Sequence, residues 1–138
     1  MTKVPFDCQI ETLQSGVVVV RVEGEATLED VRGATATLLA EYRSWERPRT
    51  LVVDLSELEP VGAKIRQEFA AWRRRHRPVF KTSVYAGVFV VPTALLRGVL
   101  TAVSWVQPTN VTRTSYVATI EEAIQRAEAH ERARESEL

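Results

Sequence analysis

The residues with most chemical promise lie in one turn. The segment "LVVDLSELEPVGAKIRQEF", Leu51 to Phe69, begins as an apolar run, breaks, and resumes with helical spacing. Asp54 closes the run, and the carboxyl ends of strands are where α/β proteins often place functional acids. Ser56 follows it. Gly62, Ala63 and Lys64 open the next helix. A helix start leaves orphan N–H groups and the positive end of a dipole, which together attract anions. Gly62 permits close backbone approach and Lys64 adds charge. The plainer alternative is a turn glycine beside a solvated lysine. No G-x-G-x-x-G or G-x-x-x-x-G-K-[ST] pattern accompanies them.

The second feature is "WRRRHRPVFK", Trp72 to Lys81, the densest charge in the chain. Helical spacing puts Arg73 and Arg77 on one face and turns Arg74 and Arg75 elsewhere. Arg73, Arg74 and Arg77 form a basic helix end suited to a phosphate group, an acidic protein or nucleic acid. The alternative is a solvated end whose cations complement the helix dipole. Eighteen Lys and Arg balance eighteen Asp and Glu, so no global charge favours nucleic acid or an anionic membrane. His76 has no Cys, Asp or second His at ligand spacing. The single Cys8 excludes an intramolecular disulfide and a multi-cysteine metal site. No residue set supplies both a nucleophile and a base. The expectation is no enzyme, no cofactor and no metal.

The elements that carry these residues follow from periodicity. Val17 to Val22, "VVVVRV", is continuous and β-branched, which predicts a strand covered on both faces. Thr27 and Asp30 make a capping-box-like start to a helix with Leu28, Val31, Thr35, Leu38, Tyr42 and Trp45 on one face. Thr50 to Leu55 is a second strand. Ile65, Phe69 and Trp72 form a second helical stripe, which Pro78 should end. Ser83 to Val91 is a third strand, and "NVTRTSYVA" a last, more exposed one. Thr119 and Glu122 cap a final helix with Ile120, Ala123, Ile124 and Ala127 on the core side. Past His130 the apolar residues run out, so residues 131–138 are expected to be a solvated tail on a single domain of residues 1–130. A short strand at Phe6 to Leu13 would complete the set. Strands alternating with helices imply an α/β layer fold with a four- to five-stranded, mainly parallel sheet and about four helices.

The segment "TALLRGVLTAVSWV" predicts another helix. Its polar residues, Arg97, Thr101 and Ser104, fall on one narrow stripe. A sheet covers about half of a helix surface, so Leu96, Leu100, Val103 and Trp105 leave apolar area for something else. A neighbouring helix, a homodimer or protein partner, and a small apolar ligand or lipid are the open alternatives. The start of the chain lacks a signal-peptide pattern. No run reaches the ~18 apolar residues of a spanning helix. A cytoplasmic setting is the default expectation.

"VVDLSELEPVGAKI" resembles the conserved segment of the STAS domain, known from anti-sigma-factor antagonists. That family reads Asp-Leu-Ser, a spacer, then Ile-Asp-Ser-Ser-Gly at a helix start. Asp54, Leu55 and Ser56 match the first part and Val61 matches the Ile. The ending "ATIEEAIQRA" is similar as well. Gly62 stands in place of the Asp, Ala63 in place of the phosphorylated Ser, and Lys64 in place of the second Ser. Alanine has no hydroxyl to accept a phosphoryl group, and no Ser or Thr occurs between Ser56 and Thr82. The chain resembles most the divergent SpoIIAA-like, or STAS/SEC14-like, branch. The resemblance implies a non-enzymatic bacterial regulatory or protein-interaction module without the switch serine. The alternative it leaves open is a small apolar-ligand or lipid-binding protein.

Overall fold

The structure, a computed structural model, describes residues 4–91 and 113–137. β1 (Asp7–Thr12) pairs antiparallel with β2 (Val18–Gly24). β3 (Arg49–Leu58), β4 (Val84–Val90) and β5 (Thr114–Val117) then add in parallel, giving one five-stranded sheet in the order β1-β2-β3-β4-β5. Four helices are described: α1 (Leu28–Ser44), α2 (Ala63–Arg75), α3 (Arg77–Ser83) and α4 (Ile120–Ser136). The α/β layer fold expected from the alternation is the one observed.

The sheet separates two apolar layers. On one face Val17, Val19, Val52, Val88, Val90 and Val117 pack against Ala123 and Ala127 of α4. On the other, Val18, Val20, Leu51 and Val84 meet Tyr42 of α1 and Trp72 of α2. Val17 to Val20 are each at most 1% exposed, which is why that run lacks alternation: both sides of β2 are covered. α1 starts at a true capping box, with Asp30 N–H donating to Thr27 Oγ1 (3.1 Å) and Thr27 N–H to Asp30 Oδ2 (2.9 Å). Gly24 takes a positive φ of 84° where the chain passes Pro5, and any side chain there would run into the Pro5 carbonyl.

Three expectations need correction. β3 continues past Leu55 to Leu58, because Glu57 and Leu58 still pair with Glu23 and Gly24 beyond a register shift in β2. α2 does stop ahead of Pro78, at Arg75, but a second short helix follows, and Pro78 sits in the first turn of this α3, where a proline lacks only a bond that is absent anyway. Arg77 therefore belongs to α3, and the helical spacing that joined it to Arg73 is broken at His76. The end of the chain is not a solvated tail from residue 131. α4 runs to Ser136, and Glu131 (3% exposed) and Arg134 (5%) are buried against the sheet as an ion pair of 2.9 Å. Their opposite charges cancel within the buried stripe, so burial persists after the apolar residues stop. The helix expected at "TALLRGVLTAVSWV", with Leu96, Leu100, Val103 and Trp105, lies outside the described residues.

Candidate functional site

The strand-to-helix turn is built as its sequence suggests. Asp54 does not close β3 but lies inside it, paired with Arg21 and Val90, and its Oδ1 accepts from both the Ser56 hydroxyl (2.6 Å) and the Ser56 N–H (3.0 Å). Asp54 thus holds the local backbone. Gly62 is the N-cap of α2 and supplies no side-chain hydrogen bond, and the first turn of α2 contains no acid. Gly62, Ala63 and Lys64 are exposed. Arg66 folds back on the turn and donates from Nη1 to the Val61 carbonyl (2.7 Å). Ser56 and the 62–64 turn are neighbours in sequence, but no hydrogen bond joins them among the described residues.

Behind this turn lies a cavity of about 400 Å³. Its floor is the sheet face carrying Val20, Leu51, Val53 and Phe89. α1 contributes Val31, Leu38 and Tyr42, and α2 contributes Ile65, Phe69 and Trp72. Pro60 and Val61 line it nearest the turn, and Phe80 of α3 lines it beside Trp72 and Tyr42. The walls are aromatic and stacked: Trp72 and Phe80 meet edge to face at 5.1 Å, and Tyr42 and Phe80 at 5.6 Å. Phe89 and Tyr116 pair at 5.5 Å over β4 and β5.

The three residues of the basic helix end, Arg73, Arg74 and Arg77, differ in setting. Arg74 is exposed. Arg77 is on α3. Arg73 is half-buried and lines the cavity, with its Cζ 5.9 Å from the centre of the Phe80 ring. Desolvation lowers the Arg73 pKa, with Tyr116 and Tyr42 close enough to work in the opposite direction. Tyr42 is pushed above its ordinary value, first by burial. Burial also raises the Cys8 thiol, and Asp7 adds to the effect, which disfavours the thiolate a nucleophile requires. Among the described residues no three of His, Cys, Asp and Glu cluster as a metal site. No described helix is long and apolar enough to cross a membrane.

The cavity itself escaped the sequence reading. Leu38, Phe69 and Trp72 were recognised as helical stripes, and a stripe reads as core whether or not the opposing surface fills the space. One signal was present. Arg73 lies four residues after Phe69 and seven after Arg66, on the edge of the apolar stripe rather than opposite it.

The described residues form an α/β layer fold on a five-stranded, mainly parallel sheet. No family model and no curated protein matches the sequence. Solved structures do. A DUF3478-family protein from Shewanella loihica, described as having a SpoIIAA-like fold, superposes with a TM-score of 0.66 at 14% identity, covering 92% of this chain and 98% of that one. A variant of RsbS from Moorella thermoacetica gives 0.62 at 15% identity over 91% and 97%. An anti-sigma factor antagonist from Mycobacterium paratuberculosis gives 0.55 at 22% identity over 89% and 94%. The chain has the SpoIIAA-like fold.

Proposed function

We propose that the protein is a bacterial, cytoplasmic regulatory module of STAS-like fold that acts through protein contacts, alone or as a homodimer, and catalyses no reaction. The observation that carries this reading is the turn at the start of α2: Gly62, Ala63 and Lys64 are exposed in an uncapped helix start, on a fold shared with an anti-sigma factor antagonist. Ala63 stands at the position matched to the switch serine, so contact at this turn is not gated by phosphorylation there. Lys64 and the free N–H groups favour an acidic partner surface. The test is quantitative affinity capture from the native host with the wild-type and Lys64→Glu chains. Reversing the charge should deplete the partner about tenfold, equivalent to roughly 1.4 kcal/mol. Equal recovery with both chains would remove the turn from the interface.

The cavity favours a second reading, a carrier of a small apolar ligand. Its volume of about 400 Å³ lies within the span of roughly 300–1,000 Å³ common to ligand sites. Native mass spectrometry of gently purified protein should show an added small-molecule mass under this reading. A clean apo mass counts against it.

A further inference from the structure

Among the described residues, no carboxylate pairs with the cation that lines the apolar cavity. Arg73 lines it and sits beside the Phe80 ring, and no hydrogen bond or ion pair to Arg73 occurs among the described residues. A guanidinium stays charged in any protein environment, so its burial has to be offset by a partner. The chain follows that rule on the opposite face of the sheet, where the buried Arg134 is clasped by Glu131. Within the cavity Arg66 is already turned toward the Val61 carbonyl. The acidic residue that lines the space, Glu59, belongs to the segment after β3 and makes no ion pair with Arg73.

We propose that the cavity binds a single-chain amphiphilic carboxylate, a ligand of the fatty-acid class, with its hydrocarbon tail along the apolar sheet face and its carboxylate on Arg73. This rests on the apolar-ligand reading and adds the head group and its anchor. Arg presents a planar fork that matches a carboxylate in two parallel bonds. Val20, Leu51, Val53, Phe69 and Phe89 present hydrocarbon to the remainder of the ligand. At roughly 30 Å³ per water-sized group, a cavity of about 400 Å³ takes about a dozen heavy atoms, one chain and not two.

The experiment is calorimetric titration of the full chain with dodecanoate and with dodecan-1-ol near neutral pH. Dodecanoate should bind about ten- to a hundredfold more tightly, the weight of a hydrogen bond to a charged group. Arg73→Gln should abolish that difference while leaving the alcohol's affinity unchanged, which also shows that the variant folds. Arg73→Met serves if Arg73→Gln does not fold, and Arg73→Lys should keep part of the preference. Equal affinity of the wild-type chain for both ligands overturns the Arg73 assignment and leaves the apolar-ligand reading intact. Failure of both ligands to bind overturns the two together.

Discussion

Glu131→Ala should lower the stability of the chain by about 3–5 kcal/mol, the cost of leaving one member of a buried ion pair without its partner. Glu131 is 3% exposed and does two jobs. Its Oε2 accepts from Arg134 Nη2 at 2.9 Å, and its Oε1 accepts from the Thr50 N–H at 2.8 Å. Thr50 lies where the β3–β4 register shifts, and the carboxylate takes up its amide there. Truncation therefore strands a buried guanidinium and a buried N–H at once. The double variant Glu131→Leu with Arg134→Leu should recover most of the loss, because an apolar pair replaces the charges. It should retain about 1–3 kcal/mol of the deficit, from the Thr50 N–H left unpaired. Urea denaturation of the three variants measures this, and equal stability of wild type and Glu131→Ala would refute the role of the pair.

The same pair sets a pH dependence. Burial acts to raise the Glu131 pKa, but the hydrogen bonds from Arg134 and Thr50 outweigh it and hold the carboxyl below its ordinary 4.5. A depressed folded-state value means that the charged form stabilises the fold above the unfolded pKa. That contribution is lost as the pH falls through the folded value. The stability gap between wild type and Glu131→Gln should be full near neutrality and shrink in acid below 4.5. A gap that does not change between pH 7 and pH 3 would contradict it.

Trp72→Ala should lower stability by about 3–5 kcal/mol, the range for deleting a large buried aromatic. Trp72 is 8% exposed and ties α2 to α3 and the sheet, touching Phe69 and Phe80 and packing in the layer with Val18, Val20 and Val84. The hole left by truncation would merge with the existing cavity, so little collapse is available to recover the contacts. Trp72→Phe keeps a ring against Phe80 and should cost less than Trp72→Ala, since its volume change is smaller. The melting temperature of Trp72→Ala should fall by roughly 10–17 °C for a chain of this size. A fall no larger than that of Trp72→Phe would mean that neither the Phe80 contact nor the buried volume carries the effect.

Much of the fold was legible because its signals are local. "VVVV" can only be satisfied by cover on both faces, and β2 has it. Thr27 with Asp30, and Thr119 ahead of Glu122, mark helix starts by chemistry confined to four residues. The turn after β3 was readable for the same reason, and Gly62 begins α2 as its position suggested. What was missed depends on distant partners. Leu58 stays in β3 because Gly24 is beside it, not because of its own neighbours in sequence. The charges at Glu131 and Arg134 looked like a solvated end. They continue the buried spacing of Ala123 and Ala127 as an i, i+3 pair, a pattern that a count of apolar residues passes over.

The sequence by itself determined the layer architecture and the turn that carries Gly62, Ala63 and Lys64. Periodicity and residue type are properties of neighbouring positions, so they survive without coordinates. Only the tertiary structure decided that Arg73 turns inward while Arg74 stays in solvent, that Glu131 holds the Thr50 amide, and that two apolar helix stripes enclose a cavity. Each of these is a relation between surfaces far apart along the chain. An apolar stripe shows that a helix face must be covered; the volume left between it and its cover is settled by the packing of the sheet and both helices together.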